Sequence, residues 1–343
     1  MDDAGDIRRN VMGSAMSWKT FTSVLAQAVV ILVTIPSVGF TWGNDGHRIV
    51  GALADKLLIG SQAQRELRTL LEPGESLESI SMWADCAKGY CGDLTAEMKT
   101  FAQRHPEHHH YHYTDIPFQH MQYDASSVGA SEHDVVSILP QAIHVLQGHR
   151  EAQNNPHALT ARQALLLLAH GVGDLHQPLH VGSAYIDASD RFVDPLRTDG
   201  VGTGVVEPTR GGNLLLIDGG RSLHAYWDST VVRYAMKRVA VTSHEAYVDY
   251  LLTTFPDQET ADGHAAAWPR MWAEESLRLA EEAHRGLVVG QRRLLHDQRH
   301  GDHFVWSVSV PDGYDRRSSS VAERALMRAG KRLALVLQSI WPG

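Results

Sequence analysis

The chain has 343 residues, 43% of them hydrophobic, and its 40 Asp and Glu outnumber 31 Lys and Arg to leave a net charge of −9. That length suits one large domain or two small ones, and the apolar content excludes broad disorder. The negative balance excludes a protein that holds nucleic acid through an overall basic surface.

In chain order, residues 1–41 read as a signal peptide. Arg8, Arg9 and Lys19 make a positive start, residues 21–38 an apolar stretch, and Gly39 and Thr41 fall at positions −3 and −1 of a cut before Trp42. Met12 or Met16 reads as an alternative start, because the residues before them are polar and look like an over-extension. A retained membrane anchor is the other reading, because the stretch is nearly long enough to span. With cleavage, the expected product is residues 42–343, secreted or periplasmic, with no stable membrane association and monomeric. Asp2, Asp3 and Asp6 balance Arg8, Arg9 and Lys19, so the product keeps the whole charge of −9.

Helical periodicity dominates the chain from His47 onward, and the predicted fold class is all-α, one multi-helix domain. Residues 47–58 place Ile49, Val50, Leu53, Leu57 and Leu58 on one side. Residues 62–71 and 77–87 read as short helices. Residues 131–148 are periodic, but Pro140 predicts a kink or break. Residues 160–175 are apolar enough to be buried on most sides, and 222–236 are amphipathic. Thr242 with Glu245 fits a capping box opening a helix to Thr254. Residues 264–287 and 319–341 read as long closing helices. A short hairpin is expected near residues 213–217. Residues 184–212, rich in Gly, Asp and Pro, are expected to form a long surface loop. In the cluster His105, His108, His109, His110 and His112, only His112 is singled out, and most of the others are expected to be solvated.

The two cysteines, Cys86 and Cys91, point in an exported protein to a local disulfide. Free thiols or soft metal ligands are the other readings, and a zinc site of cysteines alone is not available with two. No Asn-x-Ser/Thr acceptor for glycosylation occurs.

The chemistry concentrates in a few segments. His170 and Asp174 stand four apart and share a helix face. His and Asp on an apolar helix need each other or a cation. Pro178 then stops the helix, and His180 can turn back. A buried His–Asp hydrogen bond with exposed neighbours explains one such pair as well as a metal does. His224 and Asp228 repeat the spacing on another helix, and Asp85 and His112 add a carboxylate and an imidazole. A free amine on Trp42 and its carbonyl could chelate together with His47. The set is Trp42, His47, Asp85, His112, His170, Asp174, His180, His224 and Asp228. Imidazole and carboxylate suit zinc, and so many ligands would serve three ions if one carboxylate bridges. The negative charge of the chain does not oppose phosphate chemistry there, because bound zinc is locally positive.

These motifs resemble those of the secreted, zinc-dependent single-strand nucleases and 3′-nucleotidases typified by the fungal nucleases S-one and P-one, distant relatives of bacterial phospholipases C. The likeness rests on W-G-x-x-G-H from Trp42 to His47, W-A-D at Asp85, H-Y-x-D from His112, the spaced His170, Asp174 and His180, G-G-N at Gly211 to Asn213, L-H-x-x-W-D at His224 to Asp228, and the A-G-K-R run at Ala329. The resemblance implies three Zn²⁺. One would be held by Asp85, His112, His170 and Asp174. A second would be held by Trp42, His47 and the bridging Asp174, and a third by His180, His224 and Asp228. It further implies attack on phosphorus by a zinc-bridging hydroxide, products with 5′-phosphates, and single-stranded DNA or RNA and 3′-nucleotides as substrates. Tyr113 would stack on a base, Asp115 would bond its edge, and Asn213 would lie beside the phosphate. A core aromatic, a helix cap and a turn residue are their other readings.

The chain departs from the family pattern at Lys88, where many members carry an Arg that stabilises the phosphate. Lys keeps the charge and loses the forked donor geometry. His176, inside the motif, reads as supporting rather than ligating. Two alternatives stand beside the nuclease. A phospholipase C-type phosphodiesterase would use the same ions but should show an apolar rim. A zinc-storage protein would not need ligand pairs on separate helices.

Overall fold

The computed structural model describes residues 42–149, 151–195, 200–217, 220–297 and 301–343. The signal peptide expected over residues 1–41 lies outside them.

Helix α1 (Asn44–Leu57) buries Ile49, Val50 and Leu53, and two of its close approaches to neighbours depend on glycine. A β-carbon on Gly51 would lie 2.4 Å from the Leu77 carbonyl oxygen. One on Gly330 would lie 2.4 Å from Cβ of Leu53. Helix α2 (Gln62–Leu70) follows, capped by Ser61. The expected helix over residues 77–87 divides into α3 (Leu77–Ile80) and α4 (Trp83–Ala87). At the division Ser81 gives its carbonyl to the His170 ring. Helix α5 (Ala96–Arg104), capped by Thr95, was not anticipated. Its signal was the Thr cap followed by Met98 and Phe101, both buried.

Helix α6 (Val135–Leu146) starts from an Asp134 cap and continues through Pro140 rather than breaking there. Helix α7 (Ala161–His176) opens with a Thr160–Gln163 capping box, and from Gln163 onward every residue is buried. A helix apolar on all sides belongs inside other helices, and α7 packs against α1, α4, α6 and two helices from the C-terminal part of the chain. These are α11 (Trp268–His284) and α12 (Tyr314–Ile340). The short α8 (Leu223–Ala225) leads through a π-helical turn (Tyr226–Val231) into α9 (Val232–Arg238). Helix α10 (His244–Thr254) is capped by Ser243, one residue beyond the expected Thr242. No described helix is long and apolar enough to cross a membrane.

The all-α expectation needs correction: the fold is mainly helical and carries three small sheets among the described residues. Strands β1 (Ile116–Pro117) and β2 (Gly182–Ser183) pair in parallel. The stretch 184–212, expected as a surface loop, contains β3 (Tyr185–Asp187), β4 (Phe192–Val193) and β5 (Val206–Pro208) in the order β4-β3-β5. Tyr185, Ile186 and Val206 there are buried, so the segment is anchored to the core despite its polar composition. The expected hairpin is present as β6 (Leu215–Ile217) and β7 (Arg221–Ser222). Strand β6 also pairs in parallel with β9 (Gly301–Ser309), which forms a long hairpin with β8 (Val288–Asp297). Strand β8 is mostly exposed and its apolar residues do not alternate, so it left no period-2 signal to read.

Candidate metal centre

Helix α7 supplies the middle of the site. Its His170 and Asp174, one turn apart, bring Nε2 within 2.9 Å of Oδ2. Gly173, between them in sequence, admits His47 of α1, since a β-carbon there would lie 2.8 Å from His47 Nδ1. The His47 and His170 rings stack at 3.9 Å, and His47 Nε2 lies 3.3 Å from Asp174 Oδ1. The other carboxylate oxygen receives His112, whose Nδ1 is 3.1 Å from Oδ2. Asp85, from α4, completes this side, 3.6 Å from His112 and 3.9 Å from His170.

A second cluster lies beyond the end of α7. Pro178 opens a 3-10 turn (Pro178–His180) that returns His180 toward the helix. His180 Nδ1 is 3.4 Å from Asp174 Oδ1, and its Nε2 is 3.8 Å from Asp228 Oδ1. His224 Nε2 lies 3.4 Å from Asp228 Oδ2. Asp228 sits in the π-helical turn, a geometry that re-aims a side chain relative to a regular helix and recurs at functional sites. Gln177 donates to Asp228 Oδ1 at 2.7 Å, a contact the sequence reading missed although Gln177 lies inside the His170–His180 motif.

The rings are fixed by their outer nitrogens. Nδ1 of His170 donates to the Ser81 carbonyl at 2.6 Å, that of His180 to the His112 carbonyl at 2.8 Å, and that of His224 to the Gly211 carbonyl at 2.8 Å. A carbonyl only accepts, so each proton sits on Nδ1 and each Nε2 lone pair faces the carboxylates. Among the described residues, Asp174 Oδ1, His180 Nε2 and Asp228 Oδ2 are buried without a hydrogen-bond partner. Several electron pairs thus converge on buried space, an arrangement that suits bound cations. Three groups satisfy this: His47, His170 and Asp174; Asp85, His112 and His170; and His180, His224 and Asp228. With only nitrogen and oxygen donors, divalent zinc is a suitable guest.

Electrostatics agree. Burial lowers His47 to about 4, and His112 and His224 to about 3, holding these rings neutral. His170 goes the other way: burial presses it down, but Asp174 and Asp85 outweigh that and raise it. For Asp174 burial acts upward, yet His170 and His180 with the ring hydrogen bonds hold it well below the carboxylate range. Burial also acts upward on Asp85, and Lys88, His170 and His112 together hold it low. Asp228 is raised well above the ordinary value by burial, with Asp174 and Asp85 adding to the rise and Gln177 and Lys88 opposing it.

The remaining expected residues distribute around this centre. Trp42 is fully buried, with Gly46 against its side chain and its carbonyl accepting from the His47 N–H at 3.3 Å. Lys88 Nζ lies 3.1 Å from Asp85 and 4.8 Å from the centre of the Tyr90 ring. Cys86 and Cys91 are disulfide-bonded and close the loop that carries Lys88. Tyr113, directly after His112, is half-buried with its hydroxyl 3.0 Å from His110 Nδ1. Burial pushes the Asp115 carboxyl up to about 6, opposed by the nearby Ser183 hydroxyl, the Arg210 charge and the Gly211 N–H. The Asn213 side chain donates to the Arg210 carbonyl at 2.9 Å, which is the turn role. His176 points away from the centre. Its Nδ1 bonds the Val172 carbonyl and its Nε2 accepts from Arg332 at 3.0 Å. The expectation that most of His105 to His110 is solvated needs correction. His105 and His108 are buried around Phe101, with ring separations of 4.5 and 5.7 Å.

Comparison with known proteins gives a consistent family. The family model described as S1/P1 Nuclease matches residues 42–342. Endonuclease 2 of Arabidopsis thaliana is 24% identical over 327 residues, covering 91% of this chain and 94% of the relative. Endonuclease 5 of the same plant is 23% identical, covering 92% and 95%. Endonuclease 4 is 22% identical, covering 91% and 93%.

Proposed function

This chain belongs to the S1/P1 nuclease family and is a hydrolase of phosphodiester bonds, and from that premise we propose that it is an exported, zinc-dependent endonuclease of single-stranded DNA and RNA that leaves 5′-phosphates and also acts on 3′-nucleotides. The observation that carries this reading is the convergence of three buried His/Asp groups, each with its donor atoms within 4.8 Å of one another.

Zinc bound there supplies Lewis acidity toward phosphoryl oxygen and a lowered pKa for water. The protein's own part is positioning. Asp174 offers its two oxygens to different neighbours, His47 and His180 on one side and His112 and His170 on the other. Backbone carbonyls lock the rings of His170, His180 and His224, so little reorganisation accompanies the reaction. Lys88, beside Asp85, adds a positive charge where an anionic ester approaches. Tyr113 offers a half-buried ring to a splayed base, and Asp115 offers a carboxylate to the base edge. A paired base cannot reach that ring, which supports a preference for single strands. Asn213 contributes through the turn it closes at Arg210. Removal of residues 1–41, export to an oxidising compartment and a monomeric state belong to the same proposal, and the bonded cysteines support the compartment.

The test is an assay of purified protein on single-stranded DNA, RNA, duplex DNA, a 3′-nucleotide and phosphatidylcholine. Single strands should be cut at least about 100-fold faster than duplex, since unpairing a base costs a few kcal/mol. Chelation should abolish activity and added zinc restore it. Cleavage of the lipid alone would replace this reading by the phospholipase C type.

A further inference from the structure

Arg210 occupies the turn between β5 and β6 with φ at +54°, a conformation that side chains with a β-carbon disfavour. Its surroundings hold it there. The Arg210 carbonyl accepts from the backbone N–H of Asn213 at 3.1 Å and from its side-chain amide at 2.9 Å. The next residue, Gly211, gives its N–H to Ser183 Oγ at 2.9 Å and its carbonyl to His224 Nδ1 at 2.8 Å. A β-carbon on Gly211 would stand 2.3 Å from the carbonyl oxygen of Leu179, the residue before His180. The turn is therefore tied to two of the three ligands of the His180, His224 and Asp228 group.

Arg210 is half-buried at this place. Among the described residues its guanidinium has no ion pair within 4.0 Å and no hydrogen bond. Its charge is felt at Asp115. Burial pushes that carboxyl up to about 6, and the Ser183 hydroxyl, Arg210 and the Gly211 N–H oppose the rise. The other cation near the centre, Lys88, is already 3.1 Å from Asp85 and is a point donor. An uncommitted fork of N–H donors matches two non-bridging phosphate oxygens, which an ammonium cannot match.

We propose that Arg210 is a substrate-contacting residue whose guanidinium receives two non-bridging oxygens of a phosphate in the bound single strand, beside Asp115. This deepens the nuclease reading and rests on it for the identity of the strand. The turn, strained and tied to the metal ligands, carries the fork at a fixed place relative to the third group.

The experiment compares the zinc-loaded wild type with Arg210→Asn and Arg210→Lys. Asn tolerates positive φ better than most residues, so the turn is kept while the charge is lost. The readouts are kcat and KM on a single-stranded oligonucleotide, the Kd of a cleavage-resistant phosphorothioate oligonucleotide across salt concentrations, and zinc content. Arg210→Asn should raise KM and Kd about tenfold, with a smaller change in kcat and with zinc retained. It should also flatten the log Kd against log salt slope by about 0.7. Arg210→Lys should restore the slope and only part of the affinity. An unchanged Kd and slope in Arg210→Asn would overturn the inference. So would a weakened Kd accompanied by lost zinc, which would make Arg210 a support of the turn alone. Wild-type binding that depends on Arg210, in a protein that cuts only lipid, would keep this contact and remove the nuclease reading.

Discussion

At the scale of single residues, Asp174 and Trp42 carry the sharpest expectations. Asp174 meets His47 through one oxygen and His112 and His170 through the other. Asp174→Asn replaces a carboxylate, whose two oxygens can each serve a cation, by a neutral amide. Bound zinc, measured by atomic absorption, should fall by about two ions and activity by more than about 100-fold. Unchanged metal content would remove the bridging role. Trp42 is buried at the start of α1, next to the His47 N–H. If its amine is a ligand, a protein retaining one extra residue before Trp42 should lose about one zinc and most activity. Full activity in that form would count against amine ligation. Four of the eight side chains of the candidate centre, His170, Asp174, His224 and Asp228, were legible because His–Asp spacing of four on apolar helices is conspicuous, and His47, Asp85, His112 and His180 through the motifs around them. Their supports were not. Ser81 and Gly211 act through backbone carbonyls, which carry no residue-type signal, and Gln177 and Arg210 are ordinary in composition.

At the scale of elements, close helix approach makes the site possible. Gly173 faces the His47 ring on α1, where a β-carbon would come within 2.8 Å. Gly173→Ala, although favourable to a helix, should push His47 away from Asp174, lower zinc affinity at least about tenfold and reduce activity. Chelator competition on the purified variant checks it. The end of α11 offers a pH test away from the metals. His284 is buried, stacked on Phe118 at 4.4 Å, with Nε2 lacking a partner, and burial lowers it to about 4. In the unfolded chain its pKa is near 6.5, so between about 6.5 and 4 the unfolded state binds more protons. Its contribution is complete above that window and is lost as pH falls through it. His284→Phe should remove up to about 3 kcal/mol of that acid loss, seen as a shallower fall of denaturation midpoint with pH. Sequence periodicity located the helices well where one face or all faces are apolar, as in α1 and α7. It missed the β8–β9 hairpin because an exposed strand has no core face to impose alternation.

At the scale of the whole molecule, cations bound at the candidate centre would be structural as well as chemical. Without cations, Asp85, Asp174 and Asp228 remain buried together with unpartnered donor atoms. Metal removal should therefore lower the melting temperature by roughly 10 °C, restored by zinc, as calorimetry would show. A melting temperature indifferent to chelation would mean that the cluster is stable empty. The order of ligand types along the chain, their pairing at i and i+4, and the mainly helical character were determined by sequence alone, since helix geometry fixes such spacing locally. Only the tertiary structure decided that His112 reaches Asp174, 62 positions away, that Asp228 lies in a π-helical turn, and that the turn carrying Arg210 is tied to His224 through the Gly211 carbonyl. Those relations depend on how helices pack and on where backbone carbonyls fall. Packing is a sum over distant contacts, and no local period in the chain encodes it.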